Sequence, residues 1–175
     1  MRFWTERGLL GGLRKGDSEA AREFVRRYQP AIYRFALTMT RSREDAEDVA
    51  QSTIVQAYKS ASDFRGDSRL TTWLHKIAYR EVLRLSPSQT ELAEVETSPI
   101  ANAELGLALL DALESLGAEY RDVFLLREVQ GLSTRESADV LGIPEGTVKW
   151  RLSEAKTRLK VALSAPGENI EPTFE

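Results

Sequence analysis

Lys149, Trp150 and Arg151 stand side by side in "GIPEGTVKWRLSEAKTRL". Val148 and Leu152, four apart, mark the apolar face of a helix there. Thr147, Lys149, Trp150 and Ser153 therefore fall on its outward side. These side chains make no nucleophile and no acid–base pair; what they can do is recognise. An ammonium donates to guanine acceptors and a hydroxyl to several bases, while an indole can rest on a thymine methyl or a sugar. Arg151 and the free amides of a helix start suit phosphates. For Trp150 a second reading stays open, packing against a neighbouring helix.

A second set lies in "FRGDSRLTTWLHKIAYR". Phe64, Arg65, Asp67, Ser68 and Arg69 surround Gly66, and Lys76, Arg80 and Arg84 follow near one helical face. A ring, cations and hydrogen-bonding groups suit a single strand held by stacking and charge. Opening a duplex to supply that strand costs a few kcal/mol per extruded base. Trp73 reads as core; Phe64 reads equally as core or as a stacking surface.

Other chemistries find little support. The chain of 175 residues has no cysteine and a single histidine, His75. Disulfides and thiolate metal sites are excluded, and a histidine metal site or triad is not expected. No phosphate-cradling glycine loop, paired acid and base, or activated nucleophile stands out, so neither an enzyme nor a cofactor is expected. No apolar run approaches the roughly 20 residues of a membrane span. "MRFWTERGLLGGLRKG" is a poor signal peptide, and the expected location is the cytoplasm.

The net charge of −3 hides an uneven distribution. Residues 1–85 carry 16 Lys and Arg against 11 Asp and Glu, and residues 132–164 carry 6 against 4. Residues 86–131 carry 2 against 9. Two basic segments thus flank an acidic middle, which matters more for partners than the total.

The elements that position these residues all read as helices. "DSEAAREFVRRY" starts at Asp17 or Ser18, and Pro30 suits the first position of a following helix. Ser42 with Asp45 resembles a capping box. The next stretch carries Ala46, Val49, Ala50, Thr53, Ile54 and Ala57 as its stripe. Asp67 or Ser68 is expected to cap the helix of Leu70, Trp73, Leu74 and Ile77. Residues 86–104, with two prolines and no Lys or Arg, read as a flexible acidic linker. Beyond it, Gly131 ends one helix and Ser133 with Glu136 caps the next. Gly142 and Pro144 then turn the chain into the last helix, which is helix-turn-helix grammar. In that motif the second helix enters the major groove.

The expected fold is all-α, two small helical domains joined by the linker, the C-terminal one containing the helix-turn-helix. The divisions are an N-terminal arm at 1–16, a domain at 17–85, the linker at 86–104, a domain at 105–163 and an acidic tail at 164–175.

"DAEDVAQ", "FRGDSRLTTWL" and "GIPEGTVKWRL", in that order, resemble the extracytoplasmic-function sigma factors of the sigma-70 family. The resemblance covers roughly residues 17–163. It implies a dissociable specificity subunit of bacterial RNA polymerase that binds core enzyme, recognises and melts promoter DNA, and answers to an anti-sigma factor. By that resemblance Phe64, Arg65, Asp67, Ser68, Arg69, Lys76 and Arg80 meet the minus-ten element. Thr147, Lys149, Trp150, Arg151 and Ser153 meet the minus-thirty-five element. The helix bearing Asp45, Asp48, Gln51, Ser52 and Gln56 docks on the polymerase clamp, although its spacing alone favours a solvated acidic face. The chain departs from the family's pattern at Ser52, where glutamate is frequent, and at Glu154, where a basic residue is common. Trp150 is bulkier than the usual small residue, and the basic cluster after Ile77 is thin. The alternative is a polymerase-independent helix-turn-helix regulator.

Overall fold

Asp17 opens the longest helix by accepting hydrogen bonds from the amides of Glu19 and Ala20. In the computed structural model, which describes residues 4–85 and 103–164, that helix is α2, Ser18–Thr40. It runs unbroken through Pro30, where a new helix was expected. Pro30 is exposed, so its missing N–H faces solvent. Phe24, Tyr28, Ile32 and Phe35 bury one continuous face on both sides of it. Burying each such side chain is worth about 1.5–3 kcal/mol, which outweighs one lost backbone hydrogen bond.

The segment expected as an arm carries α1, Glu6–Arg14, whose Leu9, Leu10 and Leu13 join the core. Gly12 allows the contact with α2: a Cβ on it would lie 2.3 Å from the Cβ of Ala20. α3 (Arg43–Lys59) starts at Ser42, whose hydroxyl accepts from the amide of Asp45. α4 (Leu70–Arg84) begins after Arg69, with no side-chain cap, rather than at Asp67 or Ser68. α1 to α4 form the first unit.

The second unit holds α5 (Ala103–Ser115), α6 (Ala118–Phe124), α7 (Thr134–Leu141) and α8 (Glu145–Ser164). A π-helical turn, Leu125–Val129, continues α6. Gly131, at φ 68°, then lets the Leu132 amide return to the Leu126 carbonyl. Among the described residues there are no strands. The linker expected at 86–104 lies outside the described residues up to 102, as does the tail from 165.

The units do not stand apart. Leu125, Leu126, Leu132 and Val140 of the second belong to the same apolar cluster as Phe35, Leu70 and Leu74 of the first. Two smaller clusters hold α8 to α5 and α6, and α8 to α7.

Candidate nucleic-acid interface

Ser133 and Glu136 fix the start of α7 through a reciprocal capping box, and Gly142, at φ 69°, ends it. The same cap, led by the Ser133 amide, holds the Glu136 carboxyl below its usual range. Ile143 and Pro144 turn the chain, and α8 crosses α7 on Ala138 and Val148, packed with Val123. These contacts aim α8 outward.

Lys149, Trp150 and Ser153 are exposed on α8, and Thr147 is half-buried. At 100° per residue Trp150 projects on the side opposite the buried Val148. Both readings of its indole meet here: it is 58% exposed, yet its ring lies 5.8 Å from that of Tyr120 on α6. Arg151 is not free for phosphate in this arrangement, because its guanidinium sits 3.0 Å from Glu119. Lys156, not singled out from sequence, shares the exposed flank of Lys149 and pairs with Glu128 at 3.0 Å. Spacing of seven from Lys149 was the signal for it.

The second set sits on the loop between α3 and α4. Arg65, Asp67 and Arg69 are exposed around Gly66, which adopts φ 85°. Phe64 is half-buried, its ring 5.2 Å from Trp73. Arg14 of α1 holds this loop by donating to the carbonyls of Ala61 and Phe64, at 2.9 and 3.0 Å. Nothing local in the sequence marks Arg14 for that task, since its partners lie about fifty residues away.

Lys76 and Thr72 project from α4 toward α7. The Lys76 ammonium lies 2.7 Å from Asp139, and the Thr72 hydroxyl donates to Glu136 at 3.2 Å. Arg69 adds a longer approach to Glu136, 3.9 Å. Beneath them the Tyr79 hydroxyl donates to the Asp122 carboxylate at 2.7 Å. Burial pushes both of those groups up, the phenol and the carboxyl. Between the loop, α4 and α7 lies an open cavity of about 710 Å³. Arg80 is exposed one turn beyond Lys76, and Arg84 pairs with Glu81.

On α3, Asp45, Asp48, Ser52 and Gln56 fall on one flank by helical spacing, with Gln51 farther round. Asp48, Gln51 and Ser52 are exposed; Asp45 and Gln56 are half-buried. The α3 set thus shares one flank and the second set lines the α3–α4 loop and α4, partly covered by α7, whereas on α8 Arg151 lies about 160° round the helix from Lys149. No cluster of metal-ligating side chains occurs among the described residues, and no described helix is long and apolar enough to cross a membrane.

Comparison with known proteins bears on what these surfaces do. The Sigma-70 region 2 family matches residues 24–90 and the Sigma-70 region 4 family matches residues 106–159. The chain is 32% identical to the ECF RNA polymerase sigma factor SigM of Mycobacterium tuberculosis, over 86% of this chain and 81% of that one. It is 30% identical to the ECF RNA polymerase sigma-E factor of Escherichia coli, over 87% and 91%. Among solved structures, CnrH in complex with the cytosolic domain of CnrY superimposes with a TM-score of 0.72 at 27% identity, covering 93% of this chain and 99% of that one.

Proposed function

We propose a working cycle for this chain, which belongs to the extracytoplasmic-function sigma factors of the sigma-70 family. It is an RNA polymerase sigma factor: it binds the core enzyme and directs transcription initiation at promoter DNA. The chemistry stays with the polymerase, and the chain itself acts as a cytoplasmic binding and melting factor. The observation that carries this reading is the pairing, in one chain and in that order, of a region 2 unit with a helix-turn-helix unit.

In the cycle, the α3 flank of Asp45, Asp48, Ser52 and Gln56, with Gln51 beside it, docks on core polymerase. The loop at Phe64–Arg69, with Lys76 and Arg80, takes the unpaired minus-ten strand. Thr147, Lys149, Trp150 and Ser153 of α8 enter the major groove at the minus-thirty-five element, with Arg151, paired to Glu119, at their edge. The closed arrangement cannot do all of this. The two elements lie about 25 base pairs apart, roughly 85 Å at 3.4 Å per pair. A compact chain of this length has a radius of gyration of only about 16 Å. The carboxylates of Asp139 and Glu136 beside Lys76 would also repel a phosphate brought there. The closed form is therefore the form off DNA, and α7 leaves α4 when polymerase binds. An anti-sigma partner fits the same logic by holding the units closed.

The test is gel filtration of the purified chain with bacterial core polymerase, followed by promoter binding. A one-to-one complex is expected. Asp48→Ala should weaken it, while Lys149→Ala should leave it intact and weaken promoter binding about 5- to 100-fold. A folded chain that ignores core polymerase yet binds duplex DNA specifically would instead be a polymerase-independent regulator.

A further inference from the structure

Trp150 is the large apolar side chain most directly opposed to the core of α8, and it is braced. Its ring meets Tyr120 at 5.8 Å between centroids, tilted by 59°. The guanidinium of Arg158 lies 4.2 Å from the centre of the same Tyr120 ring. Glu154 holds Arg158 in turn, its carboxylate accepting from Nε at 2.8 Å. Tyr120 is itself anchored, half-buried against the cluster that holds Ala155 and Leu159. The residue before it, Glu119, grips Arg151. The first turn of α6 thus holds two adjacent positions of the recognition helix.

An exposed indole without such a neighbour samples several rotamers. An aromatic contact of this geometry biases the population roughly 2- to 10-fold toward one of them. The bias matters because the indole has one donor and a large apolar face. In the major groove the apolar group offered by the bases is the thymine methyl.

We propose that Trp150 reads a thymine methyl in the upstream promoter element and that Tyr120 is its positioning residue. The inference rests on the sigma-factor reading and adds to it the identity of one base and a residue outside the DNA-facing helix. Tyr120 touches no DNA in this scheme. It acts by holding the indole in the orientation that meets the methyl, and Arg158, against the same ring, stiffens it.

The experiment uses the full chain bound to core polymerase. The preferred upstream element is first selected from randomised duplexes, and each of its thymines is then replaced singly by deoxyuridine, which deletes only the methyl. One replacement should weaken binding of the wild type about 3- to 5-fold, the worth of one buried methyl. Trp150→Ala should bind the thymine and deoxyuridine duplexes equally. Tyr120→Phe keeps the ring and should keep the discrimination, whereas Tyr120→Leu should reduce it toward unity. A purely structural role for Tyr120 would weaken both duplexes alike and leave the ratio unchanged, which would overturn the positioning role. A wild type indifferent to every methyl, or a Trp150→Ala variant that still discriminates, would overturn the thymine reading. Failure of the sigma-factor reading would show earlier and separately, as the absence of a polymerase complex before any DNA is added.

Discussion

Tyr79→Phe should open the molecule. Its hydroxyl lies 2.7 Å from an Asp122 oxygen, with Tyr79 9% exposed and the Asp122 side chain 13% exposed. The neighbouring Arg121 guanidinium sits 3.7 Å from the second carboxylate oxygen. Deleting the hydroxyl leaves a buried carboxylate short of its donor, but only in the closed form. In the open form water supplies the bond. Hydrogen bonds to charged groups are worth about 1.5–3 kcal/mol, so the closed-to-open balance should shift about 10- to 150-fold. The Lys76–Asp139 pair is shorter of burial, its side chains 31% and 38% exposed. Solvent screening limits such a pair to about 1 kcal/mol. Asp139→Asn should accordingly move the balance only about 5-fold or less. The cysteine-free chain makes the assay clean. Cysteines introduced for Arg22 on α2 and Lys160 on α8 carry a dye pair across the units. Energy transfer should fall in Tyr79→Phe, and affinity for a single-stranded minus-ten oligonucleotide should rise by the same factor until the open form predominates. Unchanged transfer and unchanged binding, in a chain still folded by circular dichroism, would refute the reasoning. The closed contact would then not gate the strand-binding face.

Two further perturbations probe the first unit. His75 stacks on Phe35 at 4.5 Å, and burial pulls its imidazole down to about 4, with Glu136 acting in the opposite direction. The unfolded chain takes up the proton near pH 6.5 and the folded chain does not, so stability is full above that value. It is lost as pH falls toward 4, by at most about 3 kcal/mol, and urea melts of His75→Leu should lack that loss. Gly12→Ala should destabilise by about 1–3 kcal/mol through the clash with Ala20. Gly11→Ala, with no atom within 4 Å of an added Cβ, should be neutral or stabilising by up to about 1 kcal/mol. Equal melting temperatures for the two would contradict the α1–α2 packing.

The parts legible in the sequence were those set by neighbours along the chain. The Ser133–Glu136 capping box, the left-handed Gly142 and the Val148–Leu152 face all depend on residues within four positions, and all are present. Pro30 misled because its cost is local while the buried face that overrides it runs the length of α2. "GLLGGL" hid α1 for a related reason. Glycine is a poor helix former by itself, and the value of Gly12 lies in letting Ala20, eight residues on and in the next helix, approach closely.

Charge was the property hardest to read, because its meaning lies in pairing across the fold. Residues 132–164 count as basic overall, yet Glu136 and Asp139 within them turn toward Arg69, just before α4, and Lys76 on it. Residues 1–85 count as basic too, yet part of that charge is spoken for by the second unit. Sixty-three residues separate Lys76 from Asp139, and no periodicity links them. The same fact gives the pairing its functional sense. Glu136 and Asp139 beside Arg69 and Lys76 repel a phosphate there, so under the proposed cycle the acidic face of α7 and the promoter strand would compete for these two cations. Mutual exclusion of this kind needs no large energy. A closed form favoured by about 3 kcal/mol leaves fewer than about one molecule in a hundred open, which under the proposed cycle would keep the free chain off DNA. Docking on polymerase need only bind the open form about a thousandfold better to reverse it.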